Sequence, residues 1–178
     1  VHDGRVYLNN QPYYQKLLLD QGYWTDGLVT APSEENYIQD IQKAKEMGFN
    51  GCRKHEKAED PLFLYWADKL GFLVWESTAS FWSFSPQSAG VFSQEWTHTI
   101  QRDYNHPCII LWNMMNESWG VPRLYDNTQQ QHFARSLYHL AHGLDPSRLV
   151  IANDGWEMTE NDICAFHSYK HGSLDNPD

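Results

Sequence analysis

The sequence predicts an α/β protein built on a parallel sheet. Short apolar runs typical of buried strands alternate with longer stretches in which apolar residues recur with the period of a helix. Successive runs lie roughly 25 to 40 residues apart, which is the spacing of strand–helix–strand units. The 178 residues are enough for one domain with a proper core. Two architectures fit this pattern: a doubly wound sheet, or most of a (β/α)8 barrel.

The first half of the chain contains three predicted strands and two predicted helices. The strands are residues 14–19, 49–53 and 72–76. The first helix begins at Ser33, a residue type that suits an N-cap, and ends near Gly48. The second begins at Asp60, which precedes a proline at the first helical position, and Gly71 ends it. These start and stop signals predict two short helices that alternate with the strands.

The second half continues the alternation. Ser93 is the predicted start of a helix that runs to about Tyr104, and Thr128 starts a long helix that ends at Leu144. The predicted strands are residues 108–114, 148–153 and 163–169. Only about ten residues separate the last two strands, too few for a full crossover helix. The chain is therefore predicted to hold about six strand–helix units.

Composition and motifs exclude several classes of protein. The net charge of −10 and the pI near 5.2 argue against a nucleic-acid partner, whose binders are basic. No apolar run approaches the roughly 20 residues that span a bilayer, so no membrane partner is expected. There is no Gly-x-Gly-x-x-Gly, no phosphate loop, no serine nucleophile elbow and no His-Glu-x-x-His. The sequence therefore predicts neither a cofactor nor a metal.

The cysteines and the N-terminus carry little functional information. Cys52, Cys108 and Cys164 form no Cys-x-x-Cys pair, and we expect three buried thiols rather than a disulfide framework. The start at Val1 shows neither an initiator methionine nor a signal-peptide pattern. We expect a segment of a longer chain, and its localisation is not predicted.

Polar and aromatic side chains gather after the C-terminal ends of the predicted strands, where parallel α/β proteins place their functional residues. The candidates for the site are Arg53, Glu76, Asn116, Glu117, Trp119, Trp156 and His167. Carboxylic acids move protons, amides and guanidinium groups hold hydroxyls, and indole rings stack on sugars. This set predicts carbohydrate chemistry. Two structural alternatives stay open: a buried ion pair between Arg53 and Glu76, and a solvated loop containing Glu56 and Glu59.

The stretch "CIILWNMMNESWG" (108–120) is the most informative for function, because polar residues directly follow an apolar strand. Its apolar run ends in Asn116 and Glu117, and a carboxylate is costly to bury unless it is paired. If Glu117 lies beside the rings of Trp112 and Trp119, its pKa should be raised, as a general acid requires.

Four segments resemble the catalytic barrel of glycoside hydrolase family 2, which includes β-galactosidases and β-glucuronidases. They are "GFNGCR", "DPLFLYWADKLGFLVW", "RDYNHPCIILW" and "NESWG". The resemblance runs from about Gly4 to Tyr169. It implies an incomplete (β/α)8 TIM barrel, with residues 1–178 forming part of the catalytic domain of a larger glycosidase.

The resemblance also implies roles for the candidate residues. Glu117 would be the general acid/base, Asn116 would bind the hydroxyl next to the reacting carbon, and Arg53 would orient the catalytic carboxylates. Trp156 and His167 match positions that face the active site. One departure concerns substrate contacts, because better-known members read Ser-His-Tyr-Pro where this chain reads "HEKA" (55–58).

Family members retain anomeric configuration and use a nucleophilic carboxylate from a seventh strand. We expect this nucleophile to lie outside the chain, so the chain alone should be inactive. We also expect its open barrel edges to associate with another chain or with missing strands and domains. A carbohydrate is the predicted substrate. The alternatives are a catalytically silent carbohydrate-binding barrel, or a related retaining glycosidase such as a β-mannosidase.

Overall fold

A computed structural model describes residues 1–169. It begins with a small antiparallel hairpin of β1 (Tyr7–Leu8) and β2 (Gln11–Pro12). A five-stranded parallel sheet follows, in the order β3-β4-β5-β6-β7. Its strands are β3 (Leu17–Asp20), β4 (Gly51–Lys54), β5 (Leu73–Glu76), β6 (Ile109–Asn113) and β7 (Leu149–Ile151). Each strand pairs with its neighbour in sequence, which is the order of a barrel rather than of a doubly wound sheet.

Four helices connect the strands of this sheet. They are α1 (Glu34–Glu46), α2 (Pro61–Leu70), α3 (Pro86–Asp103) and α4 (Thr128–Leu144). The predicted signals of α2 are confirmed, because the Asp60 carboxylate accepts from the Leu62 N–H at 2.8 Å. Gly71 ends this helix with a left-handed φ of 65°. These caps satisfy backbone groups that the helix itself leaves free.

Helix α3 starts earlier than the sequence predicts. Its N-cap is Ser85, followed by Pro86, and Ser85 and Ser88 cap each other's backbone N–H groups. Ser93 lies inside the helix, where its hydroxyl donates to the Ala89 carbonyl at 2.8 Å. The prediction of a start at Ser93 is therefore wrong.

The strand predicted over 163–169 does not form. Immediately before it, Asn161 and Asp162 use their carbonyl and carboxylate oxygens to accept the N–H groups of Ala152 and Val150, each at 2.7 Å. These side-chain bonds occupy the free edge of β7, so the following segment does not add a strand there. Its first part packs on the inner face of the sheet, where Ile163 and Ala165 contact the cluster of Leu111 and Ile151, and His167 then reaches the C-terminal end. Residues 1–169 thus contain five parallel strands rather than six.

The two faces of the sheet pack differently. One face and the helices enclose the large core, in which Trp96 and Trp112 are fully buried. Their indole N–H groups are satisfied by the Met114 carbonyl at 3.0 Å and the Asp145 carboxylate at 2.9 Å. The other face carries a smaller cluster around Leu111 and Ile151, as expected for the inside of an incomplete barrel.

Two smaller expectations can be compared with this packing. Cys52 and Cys108 are buried as predicted, whereas Cys164 is exposed. Of the helices formed by residues 1–169, none combines the length and apolar content of a transmembrane span.

Candidate active site

Glu117 stands on a constrained turn just beyond the end of β6. Its φ of 49° and that of Ser118, 58°, lie in the left-handed region. Such backbone costs about 1–3 kcal/mol per residue and persists only when its surroundings enforce it. Here the Glu117 N–H donates to the Asp154 carbonyl at 2.7 Å. Gly155, with a φ of +140°, packs so closely that an added Cβ would lie 3.3 Å from the Glu117 Cα and Cγ. The segment after β7 therefore fixes Glu117.

Two side chains hold the Glu117 carboxylate. His167 Nδ1 lies 2.7 Å from Oε1, and the Tyr169 hydroxyl donates to the same oxygen. Burial by itself would raise the pKa of Glu117, but the hydrogen bonds from Tyr169 and His167, with the imidazole charge, lower it below its ordinary value. The expected raised pKa is therefore wrong for this structure. Trp112, one of the rings invoked for it, points into the core and bonds to Asp145.

Arg53, Asp154 and Asn116 form a buried polar cluster beside Glu117. The Arg53 guanidinium donates to Asp154 Oδ2 at 2.5 Å and to Asn116 Oδ1 at 2.6 Å. Asn113 Nδ2 donates to the same Asp154 oxygen at 3.1 Å. The predicted alternative, an ion pair of Arg53 with Glu76, is not formed. Arg53 instead fixes the amide of Asn116 next to Glu117.

His167 connects this cluster to Glu117. Its Nδ1 lies 2.7 Å from Glu117, and its Nε2 lies 3.0 Å from Asp154 Oδ1. A neutral imidazole carries one N–H, so only the protonated ring donates to both carboxylates at once. The His167 ring thus contacts both carboxylates and holds Glu117 next to the buried cluster.

Two tryptophans flank the cluster. The ring of Trp156 lies 6.1 Å from that of His167 and 6.4 Å from that of Tyr169, between centroids. Trp119 packs edge-to-face against Trp82 at 5.1 Å. Trp119 and Trp156 are both half-exposed. Both indoles are therefore partly available to solvent.

Glu76 does not join the other candidates. Its side chain is fully buried, and Oε1 accepts the Glu59 N–H at 2.9 Å. Burial raises its pKa to about 8, despite that hydrogen bond. Glu59 is also buried and pairs with Lys54 and Lys57, so the predicted solvated loop is wrong for Glu59. Lys54 pairs in addition with Asp20 at 2.5 Å. This buried network holds Glu76 on the helix-facing side of the sheet, the side of the core residue Val74, rather than on the side of Arg53.

The candidate set chosen from the sequence leaves out three residues of the site, namely Asp154, Tyr169 and Trp82, although Asp154 and Tyr169 stand at the ends of predicted strands. Asp154 carried a usable signal, because it follows an apolar strand and precedes a glycine that permits close packing. Tyr169 follows His167 by two positions, and Trp82 belongs to an aromatic stretch that no predicted element included.

One group in residues 1–169 has side chains suited to a metal: Asp68, His106 and Cys108. The Asp68 oxygens already accept from the Cys108 N–H at 2.8 Å and contact His106 Nδ1 at 2.6 Å. Burial, followed by the nearby Asp68, raises the pKa of the Cys108 thiol and keeps it protonated, whereas metals bind the thiolate. The group is better explained as a set of hydrogen bonds that joins α2 to the N-terminal end of β6.

An incomplete barrel with an Asn–Glu pair after a central strand and a tryptophan-lined cleft defines a glycoside hydrolase type of domain. The profile described as "Glycosyl hydrolases family 2, TIM barrel domain" matches residues 1–175. The chain therefore belongs to glycoside hydrolase family 2.

Curated relatives and solved structures agree with this family. A protein of Formosa agariphila named as a β-glucuronidase is 32% identical over 133 residues, covering 68% of this chain and 15% of the relative. A β-galactosidase of Yersinia pestis is 35% identical over 138 residues, covering 72% of this chain and 12% of the relative. The chain thus spans less than a fifth of the length of either relative.

The structural matches have the same partial extent. The apo structure of Bacteroides uniformis β-glucuronidase 3 superposes with a TM-score of 0.73 and 28% identity, over 83% of this chain and 19% of that chain. A β-galacturonidase from Eisenbergiella tayi, bound to galacturonate, gives a TM-score of 0.73 and 25% identity, over 83% and 26%. The α/β barrel fold, incomplete in the described residues, is thereby confirmed.

Proposed function

We propose that this chain forms the acid/base part of a retaining β-glycosidase catalytic domain within a larger protein, with Glu117 as the proton donor. The observation that carries the proposal is the fixed position of Glu117, whose backbone is held by Asp154 and whose carboxylate is held by His167 and Tyr169. Asn116, fixed by Arg53, lies beside it and can bind a sugar hydroxyl.

In the first step, Glu117 donates its proton to the glycosidic oxygen as the bond to the sugar breaks, and the leaving group departs as an alcohol. A second carboxylate, supplied from outside the described residues, attacks the sugar carbon. In the second step, the Glu117 carboxylate takes a proton from a water molecule while the water oxygen attacks the sugar carbon and the bond from that carbon to the second carboxylate breaks. The sugar is released, and Glu117 is again the acid. The residue must therefore exist in both protonation states during one cycle.

The low pKa of Glu117 fits the base half of this cycle. Protonation for the acid half requires a change around the carboxylate. A substrate that displaces the exposed Tyr169 hydroxyl and excludes water removes a hydrogen bond to the anion and increases burial. Both changes raise the pKa of Glu117.

The test is Glu117→Gln in the full-length protein, assayed with a panel of glycosides that includes β-glucuronides and β-galactosides. Because the amide keeps the shape but has no proton to give, turnover of substrates with poor leaving groups should fall by about 10²–10⁴-fold. Activated aryl glycosides need little protonation and should lose less at the first step. The matched control is Glu160→Gln, a half-exposed surface carboxylate, which should retain activity. Full activity of Glu117→Gln on both substrate types would exclude Glu117 as the acid.

The same low pKa favours a second candidate function, a silent carbohydrate-binding barrel, since an ionised Glu117 needs no catalytic role to be stable here. This candidate predicts saccharide binding, with no turnover, by the full-length protein and by its Glu117→Gln variant alike. Measurable turnover that depends on Glu117 excludes it.

A further inference from the structure

An exposed aromatic pair lies beside the candidate active site. Trp82 is 83% exposed and Trp119 is 46% exposed, and their rings are nearly perpendicular, at 84°. Both rings line one cavity, together with Phe81. Trp82 lies in the loop after β5, and Trp119 lies in the loop after β6. One indole can therefore act as the floor of a site and the other as its wall.

The loop that carries Trp82 is fastened on both sides. Glu56, in the loop after β4, accepts from the Ser80 N–H at 2.6 Å and from the Ser80 hydroxyl at 2.8 Å. On the other side, Gly120 has a φ of +81°, and an added Cβ would lie 2.7 Å from the Phe81 carbonyl oxygen. Because the loop is ordered in advance, little conformational entropy is lost when a ligand binds.

The cavity between these loops has the size of a single ring. It holds about 220 Å³ and is lined by Glu56, Ser80, Phe81, Trp82 and Trp119. Sites for drug-sized ligands typically hold about 300–1,000 Å³. Aromatic faces with one hydroxyl and one carboxylate at the rim suit a pyranose ring, which has an apolar C–H face and a polar edge.

The cavity is separate from the polar cluster of Arg53, Asn116 and Asp154, yet Trp119 follows Glu117 by only two positions. A glycosidic oxygen protonated by Glu117 has the reacting sugar on one side and the leaving group on the other. The polar cluster can satisfy the hydroxyls of the reacting sugar. The aromatic cavity is then the place where the leaving group can bind.

We propose that Trp82 and Trp119 form a subsite for a pyranose ring of the leaving group, so that the preferred substrate is an oligosaccharide or a glycan end. This inference rests on the proposed function. It adds Trp82, in the loop after β5, as a residue that sets specificity.

The test compares Trp82→Ala with Trp82→Phe in the full-length protein. A disaccharide and the methyl glycoside of the same reacting sugar serve as substrates. The ratio of kcat/KM for the disaccharide to that for the methyl glycoside should fall about tenfold or more in Trp82→Ala, because truncating a stacking aromatic removes a binding hot spot. Trp82→Phe should restore most of the ratio. Tyr14→Ala removes another highly exposed aromatic ring, away from this cavity, and should leave the ratio at the original value.

An unaltered ratio in Trp82→Ala overturns the inference. The inference is also overturned if Trp82→Ala leaves the ratio for the disaccharide unchanged but lowers the ratio of kcat/KM for an aryl glycoside to that for the methyl glycoside. The subsite would then bind aromatic leaving groups. If the full-length protein hydrolyses no glycoside, the free disaccharide is titrated against both variants by calorimetry. Binding that Trp82→Ala loses and Trp82→Phe keeps supports the subsite although the proposed function has failed. Equal binding by both variants, or no binding, overturns the subsite.

Discussion

The guanidinium of Arg53 pairs with the carboxylate of Asp154 at 2.5 Å, although 101 positions separate them in the chain. Arg53 belongs to β4 and Asp154 follows β7, with β5 and β6 lying between these strands. In a flat sheet, β4 and β7 would be about 14 Å apart. The two side chains can meet only because the sheet curves as in a barrel. Asn116 and Glu117 lie at the mouth of that barrel.

Arg53→Met and Asp154→Asn should each destabilise the protein by about 3–5 kcal/mol, because either change leaves the partner buried without its counter-charge or its full set of hydrogen bonds. The double variant should lose clearly less than the sum of the two, since no charge of this pair is then stranded. Urea unfolding of the four proteins measures this cycle. The exposed pair of Arg123 and Asp126 is the control, and Arg123→Met should leave the urea midpoint almost unchanged, because water already screens the two charges. Additive losses for Arg53 and Asp154 would contradict a direct coupling.

Tyr169→Phe should move the basic limb of the pH profile of kcat/KM to higher pH. The Tyr169 hydroxyl stabilises the Glu117 carboxylate, so its removal raises the pKa of Glu117 and keeps the acid protonated over a wider range. The profile is measured with a substrate that has a poor leaving group, because only such substrates need the proton. Tyr138→Phe is the matched control, since that hydroxyl donates to Asp162 instead. A basic limb that stays in place would mean that Tyr169 does not influence the acid.

Stability should fall as pH rises, through the titration of Glu76. Its pKa is raised to about 8 by burial, so between the ordinary value near 4.5 and about 8 the folded protein holds a proton that the unfolded chain releases. The contribution of Glu76 is therefore fully present below pH 4.5 and is lost as pH rises through 8. Glu76→Gln, which cannot ionise, should reduce the difference between urea midpoints measured at pH 5 and pH 8. Glu46→Gln, on the exposed face of α1, should leave that difference as it is.

The helix boundaries show which sequence signals are sufficient. Asp60 and Gly71 were predicted as the ends of α2, because an Asp before proline and a glycine after an apolar run each have one clear structural use. Ser93 was less specific. A serine can cap a helix or bond to a carbonyl one turn back, as Ser93 does. The true start, Ser85 before Pro86, carries the same signal as Asp60 before its proline.

The site residues divide by the face of the strand that carries them. Arg53 was predicted at the cleft, and it lies on the opposite face from the core residue Cys52. Glu76 was predicted there too, but side chains two apart in a strand share a face, and Val74 belongs to the core beneath the helices. The alternation of side chains along the strand therefore predicts that Glu76 lies on the core side and not in the cleft. The link from His167 to Asp154 could not be predicted, because it depends on how the chain crosses the end of β7.

The two buried cations of β4 acquire their partners at different times during synthesis. Lys54 finds Asp20 only 34 positions away, and Glu59 follows it almost immediately. Arg53 needs Asp154, which leaves the ribosome 101 residues later. At roughly 5–20 residues per second, this delay is about 5–20 seconds. During that interval the ion pairs of Lys54 can form while Arg53 still lacks its partner, so the part of the site built on Arg53 becomes native later than the network around Lys54.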